Sequence, residues 1–332
     1  MKALCYKNTA TNLRGWIEAL HEKQVYGFAY ELPDHFVHIY GTAGPLYVIS
    51  SGLTVIEEKN GSLRDWVVST FGATDIRSTT NDVGSTVTGI WRPGLYFQNE
   101  IYQGLDIDQY EQRFSEQSLR VLIEQLDVLL LYIEPEGSGL SSYSHKTREL
   151  LILACTEVES HWKSLLTKAG AAPLNGRTFT TNDYVKLLSS AHLREYTVLL
   201  RNYRTAQPVS PFANWTATAP TNSLAWYDAY NKTKHDRGAH FNEATLSNVI
   251  SAVSACITLF CVRFGPFHLV NESKTLSSIF NQNFEISLNE PDIKSFYVPL
   301  YNFSPGTRRD RTVVNPYNEN LNLPWQPQIL AI

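Results

Sequence analysis

The chain has 332 residues, 43% of them hydrophobic and 18% charged, with a net charge of −4. These values fit a globular protein with room for two domains and a sizeable core, and they exclude a general nucleic-acid coat. Four cysteines, Cys5, Cys155, Cys256 and Cys261, show no metal-ligand spacing and are read as reduced.

The opening Met1-Lys2-Ala3-Leu4-Cys5-Tyr6-Lys7 lacks the long apolar core of a leader peptide. No run is read as long enough to cross a membrane, so the expected setting is cytoplasmic, with no membrane partner. Leu13, Trp16, Ile17 and Leu20 keep one face and predict a first helix. The period then changes. Val25 to Leu32, His35 to Tyr40, Leu46 to Ile56 and Trp66 to Phe71 are rich in β-branched and aromatic residues. Turn signals at Pro33-Asp34, Gly41 to Pro45 and Asn60-Gly61 separate them. Val87 to Phe97 adds one or two strands, broken at Pro93-Gly94. The expected fold class is α+β, opening with a mainly antiparallel α+β domain over residues 1–136.

A long helix is predicted from about Asp108 to Ile133, with Leu119, Leu122, Leu126, Leu129, Leu130 and Ile133 as its buried stripe. Glu134-Pro135-Glu136-Gly137-Ser138-Gly139 reads as the linker to a helical region over residues 140–264. Its first helix runs from near Ser144 to Ala169, stopped by Gly170. Its second starts at Thr180 or Thr181, with Thr180 and Asp183 as a capping box, and ends near Leu200. Arg201 to Asn222 is then a long loop. Arg201, Arg204, Phe212 and Trp215 have the composition to stack on and clamp single-stranded RNA, or else the aromatics pin the loop to the bundle. The third helix spans Ser223 to Arg237, and Gly238-Ala239-His240 turns the chain. The fourth begins near Asn242, with Leu246, Val249, Ile250, Val253, Cys256, Ile257 and Phe260 in helical period. An antiparallel four-helix bundle follows. Residues 265–332 read as a tail with short strands at Phe284 to Leu288 and Phe296 to Tyr301, and a basic cluster at Arg308-Arg309-Asp310-Arg311.

Chemistry-bearing side chains concentrate at the end of the third helix. Asn231, Lys232, Lys234, His235 and Arg237 crowd there, and Tyr227, Asn231 and His235 share a face at four-residue steps. On that face the Asn231 amide is expected to fix the His235 tautomer, with Lys234 and Arg237 holding an anion beside it. Residues 140–264 carry 13 Lys and Arg against 8 Asp and Glu, leaving 15 against 24 elsewhere. The basic part is thus the part bearing His235, as an RNA-facing surface requires. Glu157 with His161, and Glu159 with Lys163, are four apart on the first bundle helix. They read either as solvated pairs or as carboxylates supporting the His235 helix.

The run Tyr230-Asn231-Lys232-Thr233-Lys234-His235 resembles the motif of HEPN domains, helical bundles of many prokaryotic ribonuclease toxins and defence proteins. That motif is an Arg, a polar residue that is often Asn, a few more residues and a His. Asn231 and His235 match it, and Tyr230 stands where the family has Arg. Thr156 to Lys163 looks like the first long helix of such a bundle, and the resemblance covers about the helical middle third. It implies an endoribonuclease using neither metal nor other cofactor, in toxin–antitoxin or antiphage defence. His235 would be its acid or base, and Lys234 or Arg237 would replace the missing Arg. Asn231 would orient the base or phosphate, with Tyr230 and Lys232 also at the RNA. The expected products are a 2′,3′-cyclic phosphate and a 5′-OH. The resemblance also implies a homodimer whose two motifs share one cleft, an antitoxin or other defence protein as a further partner, and a sensing or regulatory N-terminal domain.

Two other readings stand beside it. One is a non-catalytic HEPN module that binds RNA, a nucleotide or a protein, for which Tyr230 argues. The other is a structural adaptor in which Asp228, Lys232 and Asp236 are helix-surface pairs. There is no Walker loop, dinucleotide glycine fingerprint or Gly-x-Ser-x-Gly elbow, and the nine histidines show no zincin spacing.

Overall fold

Side chains alternate across a strand, so a sheet with an apolar residue at nearly every position must be covered on both faces. The computed structural model shows such a sheet. It describes residues 1–271, 274–303, 312–314 and 323–332. The chain divides into two units, the first made of Met1–Val87, Arg92–Gly104 and Pro291–Gln328. Strands β1 (Lys2–Lys7), β2 (Tyr26–Glu31), β3 (His35–Thr42), β4 (Val48–Glu58) and β5 (Thr74–Asp82) lie in the order β5-β1-β2-β3-β4. Thr312–Val314 adds to the edge of β4, and every pairing in this sheet is antiparallel. Strand β6 (Ser85–Val87) pairs in parallel with Gln326–Gln328. On one face Cys5, Phe28, Val37 and Ile39 pack with Phe296, Val298 and Tyr301. On the other, Tyr6, Phe36, Tyr40 and Val55 pack with Trp66, Val67 and Phe71. The fold is α+β, as the sequence pattern predicts.

Several elements differ from the expectation. Trp66 to Phe71 is not a strand but the end of helix α1 (Leu63–Phe71). Ser62 caps it, accepting from Asp65 N at 3.1 Å, and Gly72 ends it at φ 58°. The first predicted helix is absent. Gly15 takes φ 76°, which breaks the run, and a single 3-10 turn follows at Leu20–Glu22. Beyond β6, Val87 to Phe97 forms no further strand and leads into helix α2 (Gln98–Leu105). Phe296 to Tyr301 forms no strand and packs on the sheet face, with a single-residue bridge at Tyr301. The basic cluster at residues 308–311 lies outside the described residues.

The second unit comprises Thr88–Trp91, Leu105–Glu290 and Ile329–Ile332. It holds helices α3 (Gln109–Leu130), α4 (His145–Lys168), α5 (Thr181–Tyr184), α6 (Leu187–Ser190), α7 (Ala225–His235), α8 (Arg237–His240), α9 (Leu246–Phe264), α10 (Phe267–Val270) and α11 (Thr275–Asn283). Strands β7 (Tyr196–Leu200) and β8 (Phe284–Leu288) pair antiparallel. The packed long helices are α3, α4, α7 and α9. The expected second bundle helix is replaced by α5, α6 and β7. His192 leaves the helical region at φ 53°, and Tyr196, Val198 and Leu200 then alternate inward as a strand. Two boundaries therefore differ from those expected. Helix α3 belongs with the helical unit, and the tail is shared: its residues up to Glu290 and Ile329–Ile332 go with the helices, and Pro291–Gln328 with the sheet.

Helix α9 also overturns the expectation that no run is long enough to cross a membrane. Its 19 residues are apolar enough by length and composition, and they serve as the bundle's central helix, with only Ser247 exposed.

Arg263 lies near the end of α9 and is buried. Its guanidinium donates to His161 Nδ1 at 2.7 Å, to Ser164 Oγ at 2.9 Å and to the Glu111 carboxylate. Lys168 Nζ reaches the other Glu111 oxygen at 3.1 Å. An arginine has no lone pair to offer, so His161 Nδ1 accepts and its proton sits on Nε2, 3.5 Å from Glu157. Burial and the Arg263 charge hold His161 well below its ordinary value, so it is neutral. Burial pulls Arg263 down, and Glu111 and Glu157 push it back up. Burial works against Glu111 ionising, but Arg263, Ser164 and Lys168 outweigh it and hold the carboxyl at about 2.

Replacing Arg263 with Ala is expected to cost about 3–5 kcal/mol, because Glu111 and Glu157 lose their shared buried cation. Urea denaturation measures it. The acid limb follows by linkage. A carboxyl lowered on folding stabilises fully above its ordinary 4.5, and that contribution is lost as pH falls from 4.5 towards about 2. The urea midpoint should therefore drop across that window more steeply in wild type than in Glu111→Gln. Equal slopes would remove Glu111 from the acid response.

Candidate functional site

Helix α7 carries the motif run, and its apolar residues fix its rotation. Trp226, Tyr227, Ala229, Tyr230 and Thr233 are buried, which leaves Lys234 and His235 exposed. Tyr230 is fully buried. Its hydroxyl accepts from Lys234 Nζ at 2.7 Å, and the same ammonium lies 4.9 Å from the ring centroid. Burial raises Tyr230 above its ordinary value, with Lys234 opposing. Lys234 is raised in turn, chiefly by that hydroxyl. Tyr227 donates to Glu159 at 2.6 Å. Glu159 thus meets the motif helix, whereas Glu157 faces His161 and the Arg263 network.

Asn231 does not orient His235. Its amide donates to the Tyr227 carbonyl at 3.1 Å, back along its own helix. Lys232 bridges Asp228 at 2.8 Å and Glu243 at 3.2 Å, and Glu243 also takes His240 at 2.7 Å. The expected pairing of Lys232 with Asp236 is absent, because Asp236 instead caps α8 by accepting from Ala239 N at 3.1 Å. Among the described residues, no hydrogen bond, ion pair or ring contact reaches His235. Its side chain is exposed.

A second set of side chains arrives from the start of α4. Arg148 donates through two nitrogens to the Thr233 carbonyl, at 2.9 and 3.2 Å, and so caps the end of α7. That clamp brings His145, the first residue of α4, to Arg237. The guanidinium lies 3.5 Å from both imidazole nitrogens, at the limit of hydrogen bonding. Phe241 packs against both, 5.7 Å under Arg237 and 4.9 Å from the His145 ring, with Tyr143 edge-on to it. The end of α7 thus carries the exposed His235 and, two residues on, Arg237, which meets His145 and Phe241, with Tyr143 against Phe241. Sequence reasoning named the first two. His145 and Tyr143 stand about 90 residues upstream, and only the helix packing joins them.

The loop residues go elsewhere. Trp215 and Phe212 are fully buried rather than exposed. Trp215 stacks on Trp162 at 4.9 Å and donates through its indole N–H to Pro220 O at 2.7 Å. The clamp reading for Trp215 is thereby overturned. Arg201 is held by Glu285 at 3.4 Å and by the Asn281 carbonyl, away from α7. Arg204 is exposed. Among the described residues no group of three or more His, Cys, Asp or Glu is placed to share a metal ion.

Comparison with protein-family models, with curated proteins and with solved structures finds no match to this chain. The HEPN resemblance thus stands on the motif run and the Thr156 to Lys163 segment alone.

The Tyr230–Lys234 contact is testable without any activity. Tyr230→Phe removes the acceptor and should cost about 0.5–1.5 kcal/mol in a denaturant melt. It should also lower the Lys234 titration midpoint followed by NMR at its Cε protons. An unmoved midpoint would mean that the hydroxyl does not hold the ammonium in solution.

Proposed function

We propose that the chain is an RNA endonuclease of the HEPN type, working without a metal ion at the junction of α4 and α7. One observation carries the reading. His235 is exposed with no partner among the described residues, beside an Arg237 that already joins a second histidine, His145. Transesterification of RNA needs a base at the ribose 2′-OH, an acid at the leaving 5′-oxygen and a cation for the phosphorane. His235 takes the proton from the 2′-OH, His145 returns one to the 5′-oxygen, and Arg237 neutralises the charge between them. The products are a 2′,3′-cyclic phosphate and a 5′-OH. Phe241 and Tyr143 supply rings on which an unpaired base stacks. The nearest carboxylates are engaged, Asp236 in its cap and Asp228 and Glu243 with Lys232. The resemblance places it in a defence or toxin–antitoxin setting, and the four buried, free cysteines suit a reducing, cytoplasmic location.

A second reading is favoured by one residue. Tyr230 holds the Arg position of the motif, is fully buried and is bound to Lys234. A module so altered binds RNA at the same face without cleaving it.

The two readings separate on single-stranded RNA of mixed sequence, with and without EDTA. Wild type should cleave in EDTA and leave cyclic phosphate ends. His235→Ala should lower the rate by ~10²–10⁴-fold, and its stability should stay within about 0.5 kcal/mol because the side chain is exposed. Arg237→Ala and His145→Ala should be comparably slow. Binding without cleavage, weakened by Arg237→Ala, would select the second reading. Neither binding nor cleavage would overturn both, and loss of cleavage in EDTA, restored by one divalent ion, would overturn the proposed chemistry.

A further inference from the structure

Helix α3 buries one face and leaves another bare. Leu119, Leu122, Ile123, Leu126, Leu129 and Leu130 point inward. Outward, a second apolar stripe runs the length of the helix: Tyr110, Phe114, Val121, Val128 and, in the turn that ends it, Tyr132. These five are between 41% and 82% exposed. Gln117 and Gln125 fill the two gaps and are exposed too. An unpartnered apolar stripe about 33 Å long, at 1.5 Å per residue, is unusual on a surface helix that faces only water.

The stripe has the same apolar and polar pattern from either end. About Val121, Gln117 mirrors Gln125, Phe114 mirrors Val128 and Tyr110 mirrors Tyr132. All seven positions fall within about 40° of one line on a helix of 100° per residue. A two-fold interface requires such a patch, because each residue i must meet residue j of a second copy while j meets i.

The charges give the same orientation. On one flank of the stripe stand Arg113 and Arg120, then Glu124 and Asp127. Parallel copies would set this flank against the partner's opposite flank and leave these charges without a counterpart, whereas antiparallel copies set it against itself. Antiparallel copies set Arg113 against the partner's Asp127 and Arg120 against the partner's Glu124. Within one copy Arg120 reaches Glu124 at 3.4 Å, whereas Arg113 and Asp127 take part in no ion pair among the described residues. A groove of about 550 Å³ runs beside the stripe, lined by Val121, Glu124, Gln125, Val128, Lys146 and Leu150 among others. It has room for the side chains of a second helix.

We propose that a second copy of this chain docks on α3, antiparallel and with its two-fold axis at Val121. This inference does not rest on the RNA reading, but it bears on where the sites would lie. The Tyr132 end of α3 lies beside Lys146 at the start of α4. Antiparallel pairing therefore puts the two His235 faces at opposite ends of the dimer. Each works within its own copy, rather than in the shared cleft that the resemblance implies.

Cysteine cross-linking tests the register. All four native cysteines are buried, so the background is low. Val121→Cys alone should give a disulfide-linked dimer under mild oxidation. Phe114→Cys and Val128→Cys should each stay uncross-linked alone and link when mixed. Sedimentation tests the charges. Arg113→Asp with Arg120→Glu gives an all-acidic flank, and Glu124→Lys with Asp127→Lys an all-basic one. Each variant should sediment as a monomer, and an equimolar mixture as a dimer, with circular dichroism unchanged throughout. Wild type that stays monomeric at 100 micromolar, or a wild-type dimer whose Val121→Cys form does not cross-link, would overturn the proposal.

Discussion

The helical unit depends on a charge that cannot be discharged. Arg263 stays protonated at any ordinary pH, so its burial inside α9 is tolerated only with hydrogen-bonded partners on every side. Those partners come from two other helices: Glu111 from α3, and His161 and Ser164 from α4. Apolar contacts tolerate some sliding and rotation. A guanidinium shared among three fixed acceptors tolerates little, so the network sets the registers of α3, α4 and α9 together. Two consequences reach the surface. With Glu111 turned inward, the Tyr110–Tyr132 stripe of α3 has to face out. With His161 and Ser164 in place, α4 begins where Arg148 can clamp the end of α7, and that clamp builds the histidine face.

Much of the helical unit is legible in the sequence because its signals are local. The apolar period of α9 and the capping residues of α4 each lie within one element, and both helices form nearly where they are predicted. The errors arise where two local signals compete. Trp66 to Phe71 is aromatic and β-branched like a strand, yet Ser62 with Asp65 and Gly72 supplies both ends of a helix, and the ends decide. Residues 180–200 open with a capping box and then turn into a strand, because Tyr196–Leu200 has β8 to pair with nearly 90 residues later. The long loop shows the same limit. Its aromatics have a composition suited to RNA, but Trp162 is already waiting for them in the bundle.

The candidate site was partly legible for the same reason. His235 and Arg237 are close in sequence, so their proximity at a helix end follows from the helix itself. The neighbours expected to act on His235 do not. A side chain four residues back has the carbonyl of the preceding turn nearer than the histidine, and Asn231 takes that of Tyr227. Lys232 has two carboxylates within reach and is neutralised by them. The groups that do reach this face, His145 and Tyr143, come through tertiary packing that no local spacing encodes.

Tyr230 shows why the cation of this face has to come from beyond the helix. Position 230 points into the bundle, beside Tyr227 and one turn from the exposed end. The carboxylate nearest that pocket is Glu159, which already accepts from Tyr227 and lowers the cost of holding Lys234 against Tyr230. A guanidinium at 230 would be drawn to Glu159 and spend its charge inside. With a phenol there instead, Lys234 folds back over the ring, and the α7 motif itself projects no free cation beside His235. The first guanidinium past the helix end is Arg237, and it is held against His145 by Phe241. An anion drawn to the exposed Arg237 guanidinium therefore meets His145 of the same chain beside it.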